Sequence, residues 1–135
     1  MAIKDNIATR FPNGVSGFLI DDEAVEKTAA YTVVATTDCG KTFYINNTAV
    51  TFTLPAIAIG NTFTFVNMSD DGTTALTISP AAADGISHRG SATDDKDLIN
   101  TAATAKKGDF VTLAALDQTV AWQVTAVRGI WAKEG

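Results

Sequence analysis

The chain has 135 residues, 46% of them hydrophobic and 19% charged. That suits one domain whose core needs no disulfide or metal staple, and it excludes a disordered chain. The formal net charge is -5, and the ten basic residues are scattered. This argues against a nucleic-acid binder, which meets phosphates with clustered Lys and Arg.

The first segment, residues 1–28, has irregular periodicity and carries Pro12, Gly14 and Gly17. Its opening, MAIKDNIATR, has no apolar stretch of the secretory-signal kind. No run anywhere in the chain reaches the roughly 18 apolar residues of a membrane span. Within this segment TRFPNGVSGF (9–18) is too short and too rich in turn formers to fold alone. The stretch DDEAVEKTAA (21–30) has capping acids at its start, so a short helical turn is expected there.

From residue 31 the pattern is β. YTVVAT (31–36) is rich in β-branched residues, and TDCGK (37–41) reads as a turn with Gly40 at positive φ. TFYIN (42–46) and AVTFTL (49–54) follow. In the second, Val50, Phe52 and Leu54 share one face, and Pro55 stops the ladder because it has no N–H to donate. TFTFVN (62–67) puts Phe63 and Phe65 on one face. ALTISP (75–80) does the same with Leu76 and Ile78 and ends at Pro80. Residues 81–108 form a long Ala, Gly, Ser, Asp and Thr-rich excursion, with a short strand or helical turn expected near Leu98 and Ile99. FVTLAAL (110–116), VAWQVTAV (120–127) and IWAK (130–133) close the chain. In 120–127 the expected inward face is Val120, Trp122, Val124 and Ala126.

The tally is about seven or eight short strands and no long helix. Each strand alternates, so each sheet has one dry face. The expected fold is all-β: a mostly antiparallel β-sandwich or small barrel, jelly-roll-like, with an extended N-terminal arm. The expected boundaries are residues 1–28 for the arm and 29–135 for a single β-domain. No repeat of fixed period is evident beyond the loose likeness of TFTLP and LTISP.

Chemistry is sparse. Cys39 is the single cysteine and His88 the single histidine. They are the only candidates for a nucleophile and base, and one of each cannot make a zinc site without carboxylates. Asp94, Asp95 and Asp97, and the SDDG turn (69–72), lack the spacing of a calcium loop. Phosphate-binding glycine loops are absent, and no pair of carboxylates is singled out by spacing. Trp122 is expected in the core, and Trp131 is the better candidate for a contact surface. No metal or cofactor is expected. What remains is an arm whose Ile7, Phe11, Val15, Phe18, Leu19 and Ile20 need a surface: their own domain, a sister subunit or a partner.

Two stretches carry a resemblance. TRFPNGV (9–15) resembles the opening of many tailed-bacteriophage head proteins. The block from YTVVATTDCGKTFYINNTAVTFTLP through GNTFTFVN to LTISPAAADGI is similar to a small β-domain of phage virion proteins. The matching positions are Tyr31, Asp38, Gly40, Lys41, Asn46, Asn47, Leu54, Pro55, Gly60, Ile78 and Gly85. TVAWQVTAVRG resembles that domain's closing strand. The resemblance implies a capsid decoration, or cement, protein: no enzyme, made in the host cytoplasm and carried on the exterior of the virion. It implies a homo-oligomer, dimer or trimer, that binds the major capsid protein lattice and touches neither nucleic acid nor membrane. The residues expected to meet the capsid are Ile7, Arg10, Phe11, Pro12, Val15, Phe18 and Leu19. The alternatives are a tail, fibre or neck component, and a carbohydrate-binding module stacking sugar on Trp131, Tyr44 or Phe43.

Overall fold

The computed structural model describes residues 24–90, 92, 94–116 and 121–134. Among these residues eleven strands form two sheets. The six-stranded sheet runs β1 (Ala24–Glu26), β3 (Thr42–Ile45), β5 (Thr62–Asn67), β9 (Asp109–Ala114), β10 (Ala121–Arg128), β7 (Gly85–Ser87). The five-stranded sheet runs β11 (Ala132–Lys133), β8 (Leu98–Asn100), β6 (Leu76–Ser79), β4 (Val50–Thr53), β2 (Tyr31–Thr32). One helical turn, α1 (Ala35–Asp38), and a 3-10 turn, Ala102–Thr104, complete the order. The chain is all-β, as the alternation implied. Among the described residues each sheet keeps two edges, so no barrel closes.

The expectation of mostly antiparallel pairing is corrected. Among the described residues, five of the nine strand pairings are parallel. The first six strands alternate between sheets. The chain goes out along one sheet, returns along the other, and lays each new strand parallel to the one before last. Val25 thus sits beside Phe43, and Phe43 beside Phe65. In the other sheet Phe52 lies beside Ile78. The turns between these six strands join different sheets instead of neighbours in one. The strands that carry TFTLP and LTISP are parallel neighbours, with Thr51 beside Thr77 and Thr53 beside Ser79, a register one residue off the likeness itself.

Inward residues of both sheets make one core. Phe43, Phe52, Phe63, Phe65, Leu76, Ile78, Leu113 and Trp122 are fully buried. Phe52 of the five-stranded sheet meets Phe43 and Phe65 of the other, with ring centroids 5.5 and 5.0 Å apart. Phe63 packs on Trp122 at 5.5 Å. These separations suit tilted aromatic pairs, which bind beyond their area burial.

Four local expectations change. The described part of DDEAVEKTAA holds strand β1 in its first three residues and no helical turn, because Val25 joins the core while Ala24 and Glu26 face out. YTVVAT gives only Tyr31–Thr32 to a strand before α1 begins. The excursion 81–108 supplies, besides the strand expected near Leu98 and Ile99 (β8), a second strand, β7, and the 3-10 turn Ala102–Thr104. The inward face of β10 ends early: a register shift between Val124 and Ala126 breaks the alternation, and residues 125–128 are exposed. Val120 lies outside the described residues. Among the described residues no helix is long and apolar enough to cross a membrane.

Candidate interaction surfaces

The residues expected to meet a capsid, Ile7, Arg10, Phe11, Pro12, Val15, Phe18 and Leu19, lie outside the described residues. The strand that follows them is described. Among the described residues β1 is an edge strand, paired with β3 alone, and Lys27 N donates to Tyr44 O at 3.0 Å. The described residues therefore begin at the border of the six-stranded sheet.

Beside that border lies a charged cluster built by the YT…DCGK stretch. Asp38 is buried, 2% exposed, and accepts from Tyr31 Oη (2.8 Å), Val34 N (2.8 Å) and Lys41 Nζ (3.3 Å). Burial pushes its carboxyl up, but the hydrogen bonds from Val34, Tyr31 and Lys41 win and hold it below the ordinary carboxylate value. The hydrogen bond to Asp38 is the main cause that raises the Tyr31 phenol, with burial second. Lys27 Nζ sits 3.7 Å above the Tyr31 ring. Gly40, at φ +85, turns the chain and donates its N–H to Thr62 O at 2.8 Å. Tyr31, Asp38, Gly40 and Lys41 thus act as one structural unit.

At the opposite end of the sheets a buried polar network ties the two together. Asn67 Nδ2 donates to Asn100 Oδ1 (2.8 Å) and to Thr74 O (2.9 Å). Asn100 Nδ2 donates to Asp109 Oδ2 (3.1 Å) and to Ile130 O (3.1 Å). Asp109 Oδ2 also accepts from Lys106 N (2.9 Å). Satisfied networks of this kind specify one arrangement of a core.

The residues with chemical potential stay apart. Cys39 is a partly exposed free thiol beside α1. His88 is buried at the end of β7 and its ring hydrogen-bonds the backbone of Trp131. Burial, then Arg89 and Lys133, push the imidazole pKa down against that bond. His88 Nε2 and Trp122 Nε1 have no hydrogen-bond partner among the described residues. Lys133 Nζ donates to Ile86 O at 2.6 Å. Asp70 and Asp71 of SDDG pair with Lys107 and Lys106. No group of three or more His, Cys, Asp or Glu among the described residues is placed to hold a metal ion.

The reading of Trp131 as a contact surface is corrected. It is 5% exposed, belongs to the core, and donates Nε1–H to Arg128 O at 3.0 Å. The signal that misled was its place near the chain's end; β11 pairs on β8 and carries it inward. Phe43 is 1% exposed, so of the three candidate sugar platforms only Tyr44 reaches the surface.

A further surface needs the strand register to be seen. Across the outer face of the six-stranded sheet, Glu26, Tyr44, Val66, Phe110 and Arg128 stand side by side in one row. Tyr44, Val66 and Phe110 are half-buried, while Glu26 and Arg128 are exposed. The neighbouring row reads Ala24, Thr42, Thr64, Thr112, Ala126. Thr64 and Thr112 hydroxyls are 3.0 Å apart.

No protein-family model matches the chain, and a search of curated proteins finds no match.

Proposed function

We propose that this chain is a capsid decoration protein, which seats its β-domain on the outside of a tailed-phage head and lays its N-terminal arm along the major capsid protein lattice. The observation that carries the reading is that β1, which begins nine residues after TRFPNGV ends, lies at the border of the six-stranded sheet among the described residues. An edge strand lets the preceding chain leave the domain without breaking its core. An apolar arm that orders on a partner covers a large surface, and several arms on one oligomer make weak contacts add up. The two sheets sharing one aromatic core are read as a sandwich, a rigid platform for such an arm.

The test is deletion of residues 1–20. The truncated protein is expected to keep its β circular-dichroism spectrum and cooperative melt. Its affinity for expanded heads that lack the protein is expected to fall about 100-fold or more, since the arm supplies the apolar contacts. A truncated protein that still saturates heads with unchanged affinity would overturn the role of the arm.

A further inference from the structure

We propose that the outer face of the six-stranded sheet is a self-association surface whose occupant is the same face of a second copy of this chain. The reason is the order of residues in its two rows. Outward from central strand β5, the first row runs Val66, Tyr44, Glu26 in one direction and Val66, Phe110, Arg128 in the other. The ends carry opposite charges and the inner neighbours are both aromatic. The second row is symmetric in residue type about the same strand: Ala24, Thr42, Thr64, Thr112, Ala126.

An isologous contact requires a patch that is complementary to itself. A two-fold axis lying in the interface along β5 reverses the strand order and keeps each row opposite itself. Glu26 then faces Arg128 of the second copy, twice. Tyr44 faces Phe110 twice, Val66 faces Val66, and threonines face threonines. Facing sheets pack about 10 Å apart, within reach of Glu and Arg side chains from both sides. Glu26 and Arg128 have no ion-pair partner among the described residues. With strands about 4.8 Å apart and the longer ones about 20 Å long, the face is small, and it belongs with the modest, reversible interfaces.

This inference deepens the oligomer part of the proposed function and rests on it. The measurement needs no phage head, so its failure leaves capsid binding standing. Sedimentation velocity of the full chain is expected to show a reversible dimer, or a larger species built on that dimer, at tens of micromolar, roughly. Glu26→Arg alone and Arg128→Glu alone each set like charges face to face, and each is expected to weaken association about 10-fold or more. The double variant Glu26→Arg, Arg128→Glu restores opposite charges and is expected to return association to near the original level. Both residues are exposed, so loss of fold does not account for such a pattern. A full chain that stays monomeric overturns the proposal, as does a double variant no better than the singles. Dimerisation that begins only when residues 1–20 are removed assigns the face to the chain's own arm and also overturns it.

Discussion

Replacing Gly129 by alanine is expected to destabilise the domain by about 3 kcal/mol or more, seen as a lower midpoint in urea denaturation with an unchanged slope. Two effects combine. Gly129 has φ +93, a region that L side chains rarely adopt. Its Cβ would also overlap the Asp109 carboxylate. Asp109 has no room to yield, because it is 2% exposed and held by Asn100 Nδ2 and Lys106 N. Moving it uncouples Asn100 from the β9 side of the network, and a buried carboxylate left without partners is costly. Gly40→Ala separates the two effects. Gly40 has φ +85 but nothing within 4 Å of a new Cβ. It is expected to lose only the backbone term, about 1–2 kcal/mol. Equal losses at the two glycines would show that Asp109 is not fixed.

Asp38→Ala is expected to cost about 2–3 kcal/mol, because it strands a backbone N–H, a phenol and an ammonium group that now share one buried carboxylate. The pH dependence has a definite sign. The folded-state pKa of Asp38 is lowered, so the folded state favours the charged form. Its stabilisation is complete above the ordinary carboxylate pKa and is lost as pH falls through the lowered folded value. Tyr31 behaves conversely. Its pKa is raised, so its contribution is complete below the ordinary phenol value and is lost as pH rises through the raised one. One hydrogen bond therefore narrows the stability plateau from both sides. Asp38→Asn keeps the shape and removes the charge. It is expected to flatten both the acid limb from Asp38 and the alkaline limb from Tyr31. Urea midpoints measured from pH 2.5 to 10.5, roughly, check this; an acid limb in Asp38→Asn identical to the parent's would contradict it.

What could be read from the sequence followed from alternation. In TFTFVN the residues placed inward, Phe63 and Phe65, are buried, and the same holds for Val50, Phe52, Leu76 and Ile78. Alternation reports which side of a strand is dry. It does not report the strand's neighbour, so the parallel stacking of Val25, Phe43 and Phe65 was not legible. β8, Leu98–Asn100, lies where a short strand or helical turn was expected, but β7 was hidden because Gly85–Ser87 is a three-residue strand inside a polar excursion. Nothing in the sequence singles out Asn67, Asn100 and Asp109, which are polar residues at strand ends. Their burial follows from sheets that bring them together from positions far apart in the chain. The Glu26 to Arg128 row depends on five strands in fixed register, and no local pattern carries it. The arm, by contrast, drew attention by its misfit: six large apolar residues among turn formers.

The measurement that tests the central claim most directly is the copy number of this chain in purified phage particles, by quantitative mass spectrometry against the major shell protein. The account predicts a ratio to the shell protein near one, or a simple fraction such as about one third, since a protein that cements a lattice follows its symmetry. A count of roughly a dozen or fewer per particle would place the chain on the neck or tail instead. Absence from particles would contradict any virion role.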